Sequence, residues 1–205
     1  MNFTLDMEQT EVNVREEVLR FVSQFDSLTS EEAEEIGAHL KAKAFKKGQI
    51  LVKEGEITRE CYFVIKGCLR QYVILDGDEK TTEFYTENQA AVLFSSYTSQ
   101  SKSTSYLVSN ENSIVIVGTP TEEDKMYQKF PKLAHITRMM LEQDFGQIQN
   151  KLTHFITSSP EERYQHLLSH RPDLLQRVPQ HQLASYLGIT PESLSRIRKR
   201  ILKSS

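Results

Sequence analysis

Residues 178–202 constrain the fold of this 205-residue chain most strongly, because two short helical patterns follow one another there across a tight turn. The apolar positions of the first helix and its exit are Leu183, Leu187 and Ile189. Gly188 falls where the turn needs a positive φ, a conformation that glycine reaches without steric cost. Thr190 then predicts an N-cap, and Pro191 predicts the first position of a second helix. The stretch therefore predicts a helix-turn-helix.

The second helix has one apolar face and one polar face. Its predicted buried positions, spaced i, i+3, i+7, are Leu194, Ile197 and Ile201. Side chains at the N-terminal end of such a recognition helix reach base edges in the major groove, which predicts base contacts from Glu192, Ser195 and Arg196. Phosphate contacts are predicted for Thr190, Ser193, Arg198, Lys199, Arg200 and Lys203. The alternative is an ordinary helix pair with an exposed i, i+4 salt bridge between Glu192 and Arg196.

The segment Glu192-Ser193-Leu194-Ser195-Arg196 resembles the Glu-x-x-Ser-Arg recognition helix of the Crp/Fnr family of bacterial transcription regulators. This resemblance implies a homodimer that binds a two-fold symmetric site on double-stranded DNA, with RNA polymerase as a further partner. The fold it implies is α+β: an N-terminal double-stranded β-roll (jelly-roll-like) sensor domain, a long dimerisation helix and a C-terminal helix-turn-helix domain.

The charge distribution also divides the chain. Residues 151–205 carry nine Lys and Arg against four Asp and Glu, whereas the first 150 residues carry the other 16 basic and 24 acidic residues. A basic C-terminal segment that follows an acidic N-terminal part is typical of a sensor domain joined to a DNA-binding domain. We expect a sensor domain with N-terminal helices over residues 1–120, a connecting and dimerisation helix over 121–158, and a DNA-binding domain over 159–205. With no long apolar run, the protein is expected to be cytoplasmic and to have no membrane partner.

The sensor part begins with two helical patterns, over residues 7–25 and 29–40, and continues as short β-rich segments over residues 42–117. Asp76-Gly77 lies between two of these segments and predicts a hairpin. The order of strands and turn glycines resembles the β-roll of cyclic-nucleotide-binding domains. Cys61 and Cys68 are too few for a disulfide framework and are interpreted as small buried hydrophobic residues.

In the nucleotide-binding members of the family, a Glu holds the ribose and an Arg holds the cyclic phosphate. The corresponding positions, which form the predicted effector pocket, are Val92, Leu93, Lys102, Ser103, Thr104 and Ser105. Hydroxyl groups cannot replace the charge-assisted fork of an arginine, and Lys102 is interpreted as a solvated loop residue. The sequence therefore predicts that the fold is kept but that cyclic AMP is not bound.

The pattern over residues 131–158 predicts one long helix. Its apolar residues repeat at the 4, 3 spacing of a coiled coil and form the predicted dimer interface: Leu141, Phe145, Ile148, Leu152 and Phe155. Packing within one subunit is the alternative. His166 and His170 have metal-binding spacing, but the motif supplies no third ligand, so neither a metal site nor a cofactor is expected. The sequence contains no enzyme motif, and the alternative function is a cyclic-nucleotide or other small-ligand sensor that acts through protein partners.

Overall fold

The computed structural model describes residues 14–204, and the side chains up to residue 202. The first helix, α1, is described over residues 14–22, so the predicted helical residues 7–13 lie outside the described part. The side chain of Lys203 also lies outside it. No helix among the described residues is both long and apolar enough to cross a membrane.

Residues 14–118 contain helices and strands, and every element described after residue 118 is a helix. The remaining helices are α2 (Ser30–His39), α3 (Phe94–Ser99), α4 (Pro120–Lys129), α5 (Pro131–Thr157), α6 (Pro160–His170), α7 (Pro172–Arg177), α8 (Gln180–Tyr186) and α9 (Pro191–Ser204). The strands are β1 (Ala42–Phe45), β2 (Ile50–Val52), β3 (Cys61–Lys66), β4 (Leu69–Leu75), β5 (Asp78–Tyr85), β6 (Ala90–Ala91), β7 (Tyr106–Ser109) and β8 (Ser113–Gly118).

The strands form two antiparallel four-stranded sheets, in the orders β1-β8-β3-β6 and β2-β7-β4-β5. The predicted hairpin is confirmed: Leu75 pairs with Asp78, and Asp76 and Gly77 adopt φ values of 54° and 84° between them. Two successive positive φ values give the turn the twist of the strands that it joins. The predicted α+β fold with an N-terminal β-roll is therefore confirmed.

The core of the β-roll lies between the two sheets. Val52, Val64, Leu69, Leu107 and Val115 are almost completely buried there. They come from strands of both sheets, and alternate residues of each strand face this core because side chains alternate across a strand. This burial holds the two sheets together.

Helices cover the outer face of the β1-β8-β3-β6 sheet. Val18 and Val22 of α1 and Ala33 and Ile36 of α2 pack in one buried cluster with Ile65 of β3. Thr29 begins α2 with a capping box, since Thr29 accepts from the backbone N–H of Glu32 and the Glu32 side chain accepts from that of Thr29. Helix α4 was not predicted separately, although Thr119 begins it with the same type of capping box.

Helix α5 confirms the predicted long helix and is largely uncovered along one side. Among its residues only Ile136 is buried. The five predicted interface residues are between 41 and 61 % exposed, although all are large and apolar: Leu141, Phe145, Ile148, Leu152 and Phe155. A stripe of exposed apolar side chains at coiled-coil spacing is the surface that a second helix would cover.

The C-terminal helices pack around a core formed by Leu167, Leu174, Leu183, Leu194 and Ile197. Helix α6 begins with a capping box at Ser159. Helix α6 ends just before Pro172, and Pro172 is also the first residue of α7. A proline can serve both purposes, since its missing N–H is not needed at the first helical position.

The two cysteines differ more than their sequence context suggested. Cys68 is fully buried, as predicted. Cys61 is only partly buried, and its thiol donates to Glu123 Oε1 at 2.8 Å, so the interpretation of Cys61 as a simple hydrophobic residue is wrong. Burial and this carboxylate raise the pKa of the Cys61 thiol to about 12, which keeps it protonated at neutral pH.

Candidate nucleic-acid interface

The turn between α8 and α9 is closed by backbone hydrogen bonds. The N–H of Ile189 donates to the carbonyl of Ala184, and that of Gly188 donates to Ser185, both at 3.0 Å. These two bonds form a Schellman motif, which needs a left-handed residue at the position of Gly188. Gly188 has a φ of 69°, and a Cβ there would lie 3.1 Å from Cζ of Phe155. The backbone therefore favours glycine here, and Phe155 of α5 would have to shift by a few tenths of an ångström to make room for a Cβ.

Helix α9 is fixed at its start and along its apolar face. The backbone N–H of Ser193 donates to Thr190 Oγ1 at 3.3 Å, which confirms Thr190 as the N-cap. Leu194 and Ile197 are buried, and Ile201 packs partly against the same core. Ala184 of α8 is completely buried where a larger side chain would separate the two helices. Helix α9 is thus held with its polar face outward.

That polar face holds the predicted base-contacting residues together. Glu192 and Arg196 are exposed, and Ser195 is half-buried between them and the core. Arg196 Nη2 donates to Ser193 Oγ at 3.1 Å. Hydrogen bonds from its own backbone N–H and from Thr190, together with the charge of Arg196, hold the pKa of Glu192 below its usual range. Glu192 therefore presents an ionised acceptor next to a guanidinium donor.

The predicted phosphate-contacting residues differ in exposure and in the partners that they already have. Lys199 is exposed, Arg198 is half-buried, and Thr190 and Ser193 use their hydroxyl groups within the helix cap. Arg200 forms an ion pair with Glu161 of α6 at 3.2 Å, so a phosphate contact would have to replace that partner.

The helix-turn-helix packs directly on the β-roll through α8 and β5. Ser185 Oγ accepts from the backbone N–H of Thr81 at 2.9 Å and donates to the carbonyl of Glu79 at 3.2 Å. Phe84 of β5 is fully buried in the core of the C-terminal helices, and its ring contacts Tyr186 edge-on at 5.2 Å. The two predicted domains therefore share one apolar core at this contact.

Charged pairs surround this contact, and the sequence analysis identified none of them. Arg177 at the end of α7 binds Glu87 of the β-roll through two nitrogens, at 2.8 and 2.9 Å, and also binds Glu111. Lys151 of α5 pairs with Glu83 of β5 at 2.6 Å. These residues lie far apart in the sequence, and no local pattern connects them.

The predicted effector-pocket residues are separated by the fold. Leu93 belongs to the core between the sheets, whereas the neighbouring Val92 faces a cavity on the outer side of the β1-β8-β3-β6 sheet. Lys102 and Thr104 are exposed. Ser103 is buried, but its hydroxyl donates to the carbonyl of Ser105 at 2.7 Å and so serves the loop itself.

A neutral hydrogen-bond network extends from this loop to the β4–β5 hairpin. Gln71 Nε2 donates to Ser105 Oγ at 3.0 Å, and the Tyr85 hydroxyl donates to Gln71 Oε1 at 2.7 Å. Gln71 and Tyr85 were missed as neighbours of this loop, because only the sheet register brings β4 and β5 beside it. None of these three groups carries a positive charge at neutral pH, so they do not supply a cation for a phosphate.

A third histidine joins the pair noted in the sequence. His154 of α5 lies on His166, with ring centroids 4.2 Å apart, and His166 stacks on His170 at 3.9 Å. The His166 and His170 rings are nearly parallel, so their nitrogens do not converge on one point. Within residues 14–204, no group of three or more histidines, cysteines or acids is arranged to hold a metal ion.

Comparisons with known proteins agree with this architecture. Residues 42–121 match the family model of the cyclic nucleotide-binding domain. The catabolite activator protein of Thermus thermophilus is 18 % identical, with a TM-score of 0.52 over 88 % of this chain and 86 % of that one. FixK2 of Bradyrhizobium japonicum is 16 % identical, with a TM-score of 0.63 over 80 % of this chain and 85 % of that one.

The global regulator CLP of Xanthomonas campestris, described as responsive to c-di-GMP, is also 16 % identical, with a TM-score of 0.63 over 82 % of this chain and 88 % of that one. No curated protein sequence matches the chain. The chain therefore has the fold of the Crp/Fnr transcription regulators, with a cyclic-nucleotide-binding-type domain at residues 42–121. The resemblance noted in its recognition helix is thereby confirmed at the level of the fold.

Proposed function

We propose that this chain is a homodimeric, sequence-specific DNA-binding transcription regulator of Crp/Fnr type. The observation that carries the proposal is the exposed polar face of α9, where Glu192 and Arg196 lie side by side. The buried Leu194 and Ile197 hold that face outward, and the Schellman turn at Gly188 fixes its direction. As a transcription regulator, the protein would act together with RNA polymerase.

In the proposed complex, Arg196 donates to guanine O6 and N7, and Glu192 accepts from the amino group of cytosine. Ser195, one residue from Arg196, would contact an adjacent base. The backbone contacts would come from Lys199, from Arg198 and from Arg200 once it leaves Glu161, with Thr190, Ser193 and Lys203 as further phosphate contacts. Phosphate contacts set the register on the duplex, whereas base contacts select the sequence.

Dimerisation through α5 is proposed from its exposed apolar stripe, in which Phe145 and Ile148 are 61 and 56 % exposed. Burying such side chains against a second copy stabilises by about 25 cal/mol for each Å² of apolar surface removed from water. Phe155 has an additional contact inside its own chain, because the Arg163 guanidinium lies 4.5 Å from its ring centroid. Two-fold pairing would place two recognition helices on successive major grooves.

We also propose that the β-roll does not bind cyclic AMP. A buried cyclic phosphate needs a matched cation, and the groups near residues 103–105 are hydroxyls and an amide that already bind one another. Isothermal titration of the full chain with cyclic AMP and cyclic GMP is expected to give no saturable heat. A micromolar dissociation constant for either nucleotide would contradict the proposal.

Selection of binding sites from a random DNA library tests the proposed function. The wild-type chain is expected to select a two-fold symmetric sequence. Arg196→Ala should lose about 1–3 kcal/mol of binding free energy and lose its preference at one base pair in each half-site. An unchanged selected sequence for Arg196→Ala would show that this residue does not read bases.

Lys199→Ala is the matched control, since it removes one positive charge from the same helix face. It should weaken binding to all sequences alike and reduce the slope of log affinity against log salt concentration by about one unit. If Lys199→Ala instead changed which sequence is selected, the proposed division between base and phosphate contacts would be wrong. If the wild-type chain bound no DNA at all, the proposed function itself would fail.

A further inference from the structure

An apolar cavity of about 480 Å³ lies between the outer face of the β1-β8-β3-β6 sheet and helices α1, α4 and α5. Aromatic and aliphatic side chains form most of its wall, among them Phe21, Phe25, Phe63, Val92, Ile116 and Met140. It is distinct from the interior of the β-roll, which contains Leu93, Leu107 and Ser105 and lies on the other side of the sheet.

This cavity is much larger than ordinary packing defects. Protein interiors rarely contain spaces larger than a water molecule, and an engineered apolar cavity of about 150 Å³ already binds benzene. Small-molecule sites usually enclose about 300–1,000 Å³ and combine apolar walls with a few polar groups. The cavity has the size and the wall chemistry of such a site.

One end of the cavity is polar. Cys61 donates its thiol proton to Glu123, and Tyr97 lies beside them. The Tyr97 hydroxyl is buried beside the Cys61 thiol and the Glu123 carboxylate, but it forms no well-directed hydrogen bond with any of the described residues. An unpartnered buried hydroxyl costs about 1–3 kcal/mol, and a ligand that bonds to it would recover that cost.

We propose that this cavity binds a neutral, mainly apolar or aromatic small molecule that carries one hydrogen-bonding group. Its apolar body lies against Phe21, Phe63 and Ile116, and its polar group bonds to the Tyr97 hydroxyl or to the Glu123 carboxylate. The apolar walls favour a neutral molecule over a charged one, because a charge buried against apolar side chains without a partner is costly. The same cavity is lined by Leu133, Ile136 and Met140 of α5, so a bound molecule touches the helix that carries the exposed stripe.

N-phenyl-1-naphthylamine is a suitable probe, because it is neutral, fluoresces in apolar surroundings and carries a single N–H. The full wild-type chain is expected to bind one probe molecule per chain, with a saturable rise in fluorescence. Val92→Trp places a large side chain in the cavity and should weaken binding at least tenfold. Ile50→Trp adds the same side chain at an exposed position of β2, away from the cavity, and should leave binding unchanged.

Tyr97→Phe provides a second test that keeps the cavity wall intact. Removing the hydroxyl should weaken probe binding by about 2- to 10-fold, the effect of one hydrogen bond. The same change should make the ligand-free protein more resistant to urea, because it removes a buried hydroxyl that lacks a well-directed hydrogen-bond partner. A purely structural role for Tyr97 would not give these two opposite effects.

Two results would overturn the proposal. One is the absence of saturable probe binding by the wild-type chain, which is also what a cavity filled by a second copy of the chain would give. The other is equal binding by the wild-type chain and by both the Val92→Trp and Tyr97→Phe variants. Because no DNA is present in this titration, its outcome is independent of whether the chain binds DNA.

Discussion

Replacing Arg177 by Met should loosen the attachment of the helix-turn-helix to the β-roll. Arg177 donates two hydrogen bonds to Glu87, at 2.8 and 2.9 Å, and a further one from Nε to Glu111 at 3.1 Å. Methionine keeps most of the apolar stem but removes the guanidinium. The change also leaves two carboxylates facing the same space without a cation between them.

The expected loss of stability follows from how exposed the Arg177 and Glu87 side chains are. The Arg177 side chain is 22 % exposed and that of Glu87 is 39 % exposed. Exposed ion pairs contribute about 0.2–1 kcal/mol, whereas removing one partner of a buried pair costs about 3–5 kcal/mol. We therefore expect Arg177→Met to lower the free energy of unfolding by about 2 kcal/mol. In a double-mutant cycle with Glu87→Gln, the coupling should be about 1 kcal/mol.

Urea unfolding followed by far-UV circular dichroism measures this loss, with tyrosine fluorescence as a second probe because the chain has no tryptophan. Arg20→Met is the matched control, since Arg20 pairs with Glu17 on the surface of α1 and its side chain is 74 % exposed. The control should lose less than about 0.5 kcal/mol. If Arg177→Met lost no more than Arg20→Met, the ion pairs between the two domains would contribute nothing measurable to stability.

Three further predictions concern the turn, the dimer and the response to acid. Gly188→Ala should lower the free energy of unfolding, measured in urea, by about 1–2 kcal/mol, because alanine is strained at positive φ. Gly146→Ala on α5 is the control: a Cβ there would lie in open space, so this change should stabilise the protein or be neutral. Placing Glu at both Phe145 and Ile148 should convert the proposed dimer to a monomer in light scattering, and a dimer that survives would indicate another interface. Burial raises the pKa of Glu87, but hydrogen bonds from Arg177 and from backbone N–H groups outweigh it, and the pKa is lowered overall. The ionised Glu87 therefore stabilises the fold fully above the ordinary glutamate pKa, and this stabilisation is lost as the pH falls through the lowered pKa of Glu87 in the folded protein. The unfolding free energies of wild type and Glu87→Gln should converge in acid.

The local elements of this protein were predictable from sequence because their signals lie within a few residues of one another. Thr190, Pro191 and Gly188 specify a helix start and a turn through their own backbone preferences, and all three occupy the predicted positions. Asp76-Gly77 specifies its hairpin in the same way. Two short elements were not predicted: β6 has only two residues, and Pro172, which begins α7, also fits the end of a helix.

Contacts between distant segments depended on the tertiary structure. Arg177 and Glu87 are 90 residues apart, and nothing in either local sequence indicates the other. The same holds for Gln71, Ser105 and Tyr85, which meet only because β4 pairs with both β5 and β7. The helix caps, the turns and the apolar faces were predictable from the residues alone, since each depends on backbone preference and periodicity. The packing of α8 on β5 and the cavity beside Tyr97 were decided only in the folded chain, because both depend on how those faces fit together in three dimensions.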